Sequence, residues 1–423
     1  MAIDNKDKKV LKSSIEREQN EVACSAECEK IKGSKNLNVP HMRFPEFTEE
    51  WVNVSLKDVA DFQKERISSG LLDESTYIST ENILQNFQGV QSAISIPANT
   101  NVVAYKKNDI LLSNIRPYLK KVWFSDKIGG CSADVFVLRS KTCEPEFLYN
   151  VIASDKFINY VMSGAKGVKM PRGDKNQMES FSFSIPAVAE QRKISRLFQL
   201  LDERIATQNK IIEKLQSLIK GLNDNIHKGI KGETVCFSDL GEAYSGLSGK
   251  GGDDFGYGEP FITYMNVYQN TYISEKDYEL VQIAPNEKQN SVQYGDALFT
   301  LSSETPEEVG IGAVYLGNTQ KLYLNSFCFG IHFYDERVLP QYLAHFISSS
   351  SFRRAIYPLA QGSTRFNLQK NDFMKMKFLL PSLEKQGHIA NTLDALHCRL
   401  ANEKSLTEQY ILLKKYLLSL MLI

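Results

Sequence analysis

The sequence has no long hydrophobic run. Within its 423 residues no apolar stretch approaches the about 20 residues that cross a bilayer, and the lysine-rich start lacks the apolar core of a signal peptide. The seven cysteines are scattered without the paired spacing of a zinc site. We therefore expect no membrane contact, reduced thiols and a cytoplasmic location.

The chain also lacks an excess of either charge. Fifty Lys and Arg residues balance fifty Asp and Glu residues, so the formal net charge is zero. Because free-standing nucleic-acid-binding domains usually carry a basic excess, this balance argues mildly against such a protein. Two alternatives stay open: the positive charge is concentrated locally, or a partner supplies it.

Signatures of catalysis are missing as well. The sequence contains no GxxxxGK[ST] phosphate loop, no HExxH motif and no GxSxG motif, and its six histidines are scattered. The glycine-rich stretch GLSGKGGDDFGYGEP, which contains Lys250, follows no convincing strand, so a flexible recognition loop is favoured over a cofactor site. We expect no catalytic residue, no metal site and no cofactor in this chain.

What the sequence does have is a long helical stretch between Pro186 and about His227. A 3.5-residue period sustained over more than four heptads predicts a coiled-coil helix that needs a partner along its whole length. Only Gln208 interrupts the apolar seam, which consists of Ile194, Phe198, Leu201, Ile205, Ile212, Leu215, Ile219, Leu222 and Ile226.

The predicted partner helix lies in the same chain. The segment from Gly167 to Ile194 aligns without gaps with the segment from Gly362 to Ile389, at a constant offset of 195 (362 − 167 = 195). Such a repeat predicts two copies of one architecture. For the second helix the sequence predicts a break in the heptad phase. Its apolar seam begins with Ile389, Leu393, Leu396 and Leu400, then slips by one position and continues with Leu406, Tyr410, Leu413, Leu417 and Leu420.

These features divide the chain into five parts. They are a disordered leader (1–40), a first α+β domain (41–185), a central coiled-coil helix (186–230), a second α+β domain (231–380) and a C-terminal coiled-coil helix (381–423). For the first domain we predict one helix at 146–162 and short strands at 76–83, 101–105, 109–115, 121–124 and 132–138.

The second domain repeats the motifs of the first. Asn82 corresponds to Asn266 at an offset of 184 (266 − 82), and Asp109 corresponds to Asp296 at an offset of 187 (296 − 109). We therefore predict one scaffold that carries different loops in its two copies. Since loops differ where recognition differs, the loops are where we look for function.

Two basic stretches of the first domain are candidates for contact with nucleic acid. Lys and Arg on loops suit phosphate neutralisation, and Arg, Asn and Gln suit contacts to base edges. The candidates of the first stretch are Lys106, Lys107, Asn114, Arg116, Tyr118, Lys120 and Lys121, and those of the second are Lys169, Arg172 and Lys175. A solvated lysine face remains the alternative for both stretches.

The second domain offers different chemistry at the equivalent loop. That loop has one cation among several hydrogen-bonding side chains, which fits two modules that read different sequences. The candidates of the second domain are Lys250, Tyr264, Asn266, Ser363, Thr364, Arg365 and Asn367.

Several motifs, taken in order, resemble the specificity subunit of type I restriction–modification systems. They are RFPEFTEEW from Arg43, YISTENI from Tyr77, KMPRGDK from Lys169, IPAVAEQ from Ile185, PFITYMNV from Pro260 and GSTRFN from Gly362. The resemblance runs from about residue 42 to the C terminus. Its specificity lies in the order and the duplication of the motifs.

This resemblance implies two target-recognition domains separated by two long helices that pack antiparallel, with pseudo-twofold symmetry. It implies a non-catalytic subunit that reads a bipartite, asymmetric site in double-stranded DNA. Two methylase (M) subunits for adenine N6 methylation and two restriction (R) subunits for ATP-dependent cleavage would be its partners. The S-adenosylmethionine, ATP and Mg that the reactions need would belong to those subunits.

Two other functions compete with this interpretation. A coiled-coil scaffold with two protein-binding domains would have no DNA specificity in any complex. A self-contained nuclease or methyltransferase is disfavoured by the missing motifs, and binding of S-adenosylmethionine by the isolated chain would revive it.

Overall fold

The computed structural model of the chain describes residues 38–422. The predicted disordered leader therefore lies outside the described residues, except for its last three positions. Of these three, Asn38 is bound to the first domain, because its Nδ2 atom donates a hydrogen bond of 2.7 Å to the carbonyl oxygen of Trp51. The Trp51 amide in turn donates to the Asn38 carbonyl at 2.9 Å.

The described chain forms two compact units. Unit 1 holds the described residues up to Glu203 together with those from Tyr410 onward, and unit 2 is Arg204–Gln409. Each unit is built from a mixed α+β domain and one stretch of each of the two long helices.

The strands of unit 1 are short. They are β1 (Val52–Ser55), β2 (Ala60–Phe62), β3 (Arg66–Ser68), β4 (Tyr77–Ile78), β5 (Asn101–Tyr105), β6 (Ile110–Ser113), β7 (Val122–Phe124), β8 (Gly129–Cys131), β9 (Val135–Ser140) and β10 (Ser182–Ile185). The helices that begin in unit 1 are α1 (Leu56–Val59), α2 (Pro145–Ile152), α3 (Asp155–Ser163), α4 (Lys175–Glu179) and the long α5 (Val188–Lys228).

The strand β6 is the centre of unit 1. It lies in the four-stranded sheet β2-β9-β6-β7, and a second sheet has the order β3-β5-β8-β4. Ile110 and Leu112 pack into one hydrophobic core while Leu111 packs into another, as the alternation of side chains along a strand requires. A strand buried on both faces explains why this segment is a continuous apolar run.

Two of the predicted elements of unit 1 are wrong. The helix predicted at 146–162 is broken into α2 and α3, because the Oγ atom of Ser154 caps α3 by accepting from the Phe157 amide at 3.2 Å. The strand predicted at 76–83 ends with β4. A turn follows, in which Asn82 accepts from the Ser79 amide and donates to the Tyr77 carbonyl.

Unit 2 repeats the plan of unit 1. Its strands are β11 (Glu233–Cys236), β12 (Gly241–Ser245), β13 (Phe255–Ile262), β14 (Tyr278–Val281), β15 (Ala297–Thr300), β16 (Ser302–Ser303), β17 (Gly312–Val314), β18 (Tyr323–Leu324), β19 (Cys328–Phe333), β20 (Ala360–Gln361), β21 (Phe366–Leu368) and β22 (Lys377–Leu380). The further helices are α6 (Phe237–Leu240), α7 (Tyr264–Gln269), α8 (Pro340–Ile347), α9 (Ser350–Ile356), α10 (Lys370–Met374) and the long α11 (Leu383–Met421).

The sheets confirm the predicted duplication. The order β12-β19-β15-β17 in unit 2 matches β2-β9-β6-β7 in unit 1, and the two-stranded pair β11-β22 matches β1-β10. The buried strand β15 takes the place of β6. The parallel pair β13-β18 of unit 2 likewise matches the parallel pair β4-β8 of unit 1. The sheet β16-β21-β20 takes the place of isolated bridges that join Ile115 and Lys166 to Arg172 in unit 1.

One buried carboxylate is shared by the two scaffolds but has different partners. Asp109 is 1% exposed and receives two hydrogen bonds from the Arg139 guanidinium, at 2.8 and 2.7 Å. Its equivalent Asp296 is 2% exposed and is bonded by the Tyr244 hydroxyl at 2.7 Å and by Nδ1 of His332 at 2.8 Å. Unit 1 therefore pairs this carboxylate with a guanidinium, whereas unit 2 pairs it with a hydroxyl and an imidazole.

The predicted seam of α5 is confirmed, since each of its nine apolar residues is buried or half-buried. Gln208, which interrupts the seam, is itself 1% exposed and donates from Nε2 to the carboxylate of Glu403 on α11. Repeat alignment pairs these same two residues (403 − 208 = 195). Gln208 therefore meets its own equivalent, as expected where two repeat-related helices run antiparallel.

The predicted break in the phase of α11 is wrong. Its buried and half-buried residues continue in steps of four and three, through Ile389, Leu393, Leu396, Leu400, Glu403, Thr407, Tyr410, Lys414, Leu417 and Met421. Leu413 is 43% exposed instead. Polar residues can occupy the seam because they are paired: in unit 1 the Lys414 ammonium contacts the Asp202 carboxylate at 2.6 Å.

Replacing Arg139 by methionine should destabilise unit 1 by about 3 kcal/mol, because the Asp109 carboxylate would stay buried without a counter-ion. Urea unfolding followed by tryptophan fluorescence reports this unit, since both tryptophans of the chain, Trp51 and Trp123, lie in its core. The matched control is Lys141→Met, whose partner Asp61 is 60% exposed and whose loss should cost at most about 1 kcal/mol. Equal effects of the two substitutions would contradict the assignment.

Candidate nucleic-acid interface

In unit 1 the two predicted basic stretches lie side by side. The segment after β6 pairs antiparallel with the loop that precedes α4, through a bridge between Ile115 and Arg172. The Arg116 amide donates to the Pro171 carbonyl at 2.8 Å, and Lys166 bridges Arg172 within the same hairpin. We call the resulting surface, formed by Asn114, Arg116, Tyr118, Lys169 and Arg172, surface 1.

The backbone of surface 1 is held in an unusual conformation. Arg116 and Lys120 have positive φ angles of 50° and 54°, and a 3-10 turn, Pro117–Leu119, lies between them. Positive φ is costly for residues other than glycine and persists where the surroundings enforce it, often at functional sites. Here the turn exposes the side chain of Arg116 and leaves Tyr118 48% exposed.

The cations of unit 1 fall into two groups. Lys107, Arg116 and Lys169 are exposed, and none of them forms an ion pair with any residue in the range 38–422. Arg172 is half exposed and contacts Asp134 through Nη1 at 2.9 Å. These residues can exchange water or a weak ion pair for a phosphate at little cost.

The remaining basic candidates of unit 1 are engaged within the domain. The Lys120 ammonium lies 2.5 Å from Asp155 and holds the pKa of that carboxyl below its usual range. Lys121 donates to the Thr80 carbonyl at 2.5 Å. Lys106 pairs with Glu65 at 3.1 Å, and Lys175 pairs with Glu179 at 3.5 Å. These four lysines therefore contact groups of their own domain and are less available to nucleic acid than the exposed cations of surface 1.

Asn114 lies at the base of surface 1. Its carbonyl accepts from the Gly173 amide at 3.0 Å, which ties the two stretches together a second time. The Oδ1 atom of its side chain is buried and has no hydrogen-bond partner among residues 38–422. The contribution of Asn114 to the surface is therefore mainly through its backbone.

Unit 2 contains the same pairing with other side chains. Strand β16 pairs with β21 in the register Ser302 to Asn367 and Ser303 to Phe366. By the repeat offsets, Ser302 corresponds to Ile115 (302 − 115 = 187) and Asn367 corresponds to Arg172 (367 − 172 = 195). The hairpin that precedes the long helix is thus joined to the segment after the central strand in both units.

The pairing in unit 2 borders a cleft of about 330 Å³, which we call cleft 2. The Tyr264 hydroxyl donates to the Ser302 carbonyl at 2.9 Å, and burial raises the pKa of this hydroxyl. Cleft 2 is lined by Tyr264, Met265, Tyr268, Ser302, Ser303, Glu304, Glu308, Phe327 and Arg365. The predicted residues Ser363, Thr364 and Asn367 are exposed on the adjoining hairpin.

Two predicted residues of unit 2 do not lie on this surface. Asn266 is 2% exposed, donates to the Ser274 carbonyl at 2.8 Å and accepts from the Ser274 amide at 2.9 Å. It holds a loop of the scaffold, as its equivalent Asn82 does in unit 1. The Lys250 side chain is 8% exposed and lies 2.5 Å from Glu287, whose pKa it lowers to about 2. Both residues are therefore removed from the contact candidates.

The sequence interpretation missed most of cleft 2. Met265, Tyr268, Glu304, Glu308 and Phe327 line it, and none of them was a candidate. A signal was present, because the segment 303–311 after β15 contains three glutamates where the segment 116–121 after β6 contains three cations. A search for cations alone could not find it.

A comparison with protein families decides the identity of the fold. The model for the type I restriction modification DNA specificity domain matches the chain twice, at residues 48–217 and 232–409. Together the two ranges cover more than half of the chain. The chain belongs to this family. The double match confirms the resemblance to type I specificity subunits and the two-domain duplication, and it makes DNA sequence specificity the function of the chain.

Curated relatives are specificity subunits as well. The type I restriction enzyme MjaVIII specificity subunit of Methanocaldococcus jannaschii is 22% identical over 419 residues, which are 92% of this chain and 96% of that protein. The EcoDI specificity subunit of Escherichia coli is 23% identical over 197 residues, which are 45% of this chain and 44% of that protein.

Solved structures share the fold of this specificity-family chain. A chain from a structural study of the assembly and conformational transition of a type I R-M system has a TM-score of 0.57 at 18% identity, covering 87% of this chain and 96% of that chain. The type I S subunit of M. genitalium has a TM-score of 0.53 at 12% identity, with coverage of 91% and 99%. Between residues 38 and 422, no helix combines the length and hydrophobicity of a membrane span.

Arg116→Ala and Arg172→Ala should each lower the DNA affinity of the full chain, assembled with its M subunit. If each arginine contacts a phosphate, the slope of log K against log salt concentration falls by about one for each substitution. Arg192→Ala is the matched control, because Arg192 is 70% exposed on α5 and pairs with Glu144. An equal loss for Arg192 would show a general charge effect and refute the role of surface 1.

Proposed function

We propose that this chain reads a bipartite, asymmetric site in double-stranded DNA, one half-site through surface 1 and the other through cleft 2 and its hairpin. One observation carries the proposal: the same antiparallel pairing in both units presents different side chains at equivalent positions. Arg172 in unit 1 is replaced by Asn367 in unit 2, and Arg116 is replaced by Ser303.

Different side chains at equivalent positions read different bases. Arginine favours the O6 and N7 atoms of guanine, whereas asparagine favours the N6 and N7 atoms of adenine. The two half-sites are therefore distinct sequences, and the whole site has no twofold symmetry. The local clustering of Arg116, Lys169 and Arg172 also explains how a chain without net charge contacts DNA.

The chemistry belongs to partner subunits. Adenine in a duplex must be flipped out of the stack before its N6 atom can be methylated, and this chain would position two M subunits for that reaction. Two R subunits would complete an ATP-dependent nuclease. S-adenosylmethionine, ATP and Mg would be bound by those subunits, in the cytoplasm. The family match and the names of the curated relatives support this assignment.

Expression of the chain with its M subunit should produce a new pattern of N6-methyladenine in the host genome. We expect a split motif, with two short specific halves around an unspecified gap of fixed length. Sequencing that detects N6-methyladenine measures this directly, and cells with the M subunit alone are the control. An unchanged pattern in cells where the complex forms would reject DNA specificity and favour the protein scaffold.

Lengthening the helix pair should change the gap alone. Insertion of seven residues after Gln208 and seven after Glu403 keeps the heptad phase and adds about 10 Å of helix. That length corresponds to about three base pairs at 3.4 Å each. The gap should grow while both half-sites stay the same, and insertion into α5 alone is the control that breaks the pairing. An unchanged gap would show that the helices do not set it.

A further inference from the structure

The loop after the central strand carries opposite charge in the two units. Residues 116–121, which lead from β6 to β7, include three cations (Arg116, Lys120 and Lys121). The corresponding longer segment from β15 to β17, residues 303–311, includes three anions (Glu304, Glu307 and Glu308). Because phosphates repel carboxylates, the loop of unit 2 cannot neutralise the DNA backbone. Its anions need a different role.

A carboxylate and a guanidinium that adjoin the paired strands both line cleft 2. Strand β16 pairs with β21 from Ser302 to Ser303, opposite Asn367 and Phe366. The next positions along this antiparallel ladder are Glu304 and Arg365, and both are exposed and line the cleft. No ion pair within 4.0 Å joins either side chain to another described residue. A hydrogen-bond acceptor and a donor fork therefore both line cleft 2, and neither is paired with another described residue.

Hydrogen bonds and stacked rings fix the other residues that line cleft 2. Glu308 accepts from the Tyr268 hydroxyl at 2.7 Å and from the Ser303 hydroxyl at 3.2 Å, and the Tyr268 bond keeps the pKa of Glu308 below its usual range. The rings of Tyr264 and Tyr268 stack with centroids 6.0 Å apart. Glu308 is therefore engaged by hydrogen bonds within the cleft wall, whereas Glu304 is available to bind a ligand.

We propose that Glu304 and Arg365 together read one G·C base pair in the half-site of unit 2. In the major groove guanine presents the O6 and N7 acceptors that suit the arginine fork, and cytosine presents an N4 amino donor that suits a carboxylate. The proposal rests on the function proposed above and adds to it the base pair and the residues that read it.

Unit 1 provides the contrast. The corresponding segment of unit 1, residues 116–121, contains no carboxylate, and Met170 occupies the place of Arg365 (365 − 170 = 195). A methionine thioether cannot supply the donors of an arginine, and without a carboxylate this segment lacks the acceptor that Glu304 offers to cytosine N4. The Glu304–Arg365 position therefore distinguishes the half-site of unit 2 from that of unit 1.

The test uses the full chain assembled with its M subunit, after the split motif has been mapped. Methylation rates are compared between the cognate duplex and duplexes in which each G·C pair of one half-site is replaced by A·T. For one pair, Glu304→Ala and Arg365→Ala should each reduce the discrimination by about 5- to 150-fold. Both residues are exposed, so folding should be preserved. Glu307→Gln, which removes a negative charge from the same loop outside the cleft, should leave discrimination unchanged.

The outcomes separate this inference from the function on which it rests. If the wild-type complex methylates a split motif and both alanine variants keep its full discrimination, the G·C assignment is overturned while the proposed function stands. If Glu304→Ala loses assembly with the M subunit and keeps the motif, the acidic loop binds protein, and the assignment is again overturned. If the wild-type complex methylates no split motif, both proposals fail.

Discussion

A short antiparallel pairing joins the hairpin before each long helix to the segment after the central strand, and the recognition surfaces depend on it. It is made by Ile115 with Arg172 in unit 1 and by Ser302 with Asn367 in unit 2. The central strands β6 and β15 are buried in their entirety, so the segments that leave them have little freedom. Residues from distant parts of the chain are thereby held at one place on a rigid scaffold.

The two units show how one scaffold tolerates different polar chemistry. Asp109 and Asp296 are buried at equivalent positions, yet one is neutralised by Arg139 and the other is bonded by Tyr244 and His332. Buried carboxylates need partners, but the framework does not dictate which partner it is. Exposed positions tolerate different side chains in the same way. The duplicated fold can therefore present Arg116 in one copy and Glu304 in the corresponding loop of the other.

Much of the framework could be predicted from the sequence because it depends on periodicity. The seam of α5, the repeat at offset 195 and the buried strands follow from spacing alone. Polar residues caused the errors. Glu403 and Lys414 occupy the seam of α11 since partners satisfy them, so counting only apolar residues suggested a false slip. Ser154 ended a helix through its own hydroxyl, which the apolar pattern cannot reveal.

The candidate site was predicted less completely, for a related reason. Basic stretches identified surface 1, since its cations fall within two short stretches of the sequence. Cleft 2 combines carboxylates, aromatic rings and one arginine from segments far apart, and Asn266 and Lys250 were misassigned because burial is invisible in composition. Comparison of the two repeats at matched positions distinguishes scaffold from recognition better than residue type alone.

Site-specific photo-crosslinking is the measurement that tests the central claim most directly. A benzophenone amino acid would replace Tyr118 of surface 1 or Phe327 of cleft 2, which are 48% and 54% exposed, in the complex with DNA that carries the mapped site. Tyr416, 59% exposed on α11, serves as the control position. The account predicts crosslinks from Tyr118 to one half-site, from Phe327 to the other and none from Tyr416. Crosslinks from Tyr118 and Phe327 to the same half-site, or from neither, would contradict it.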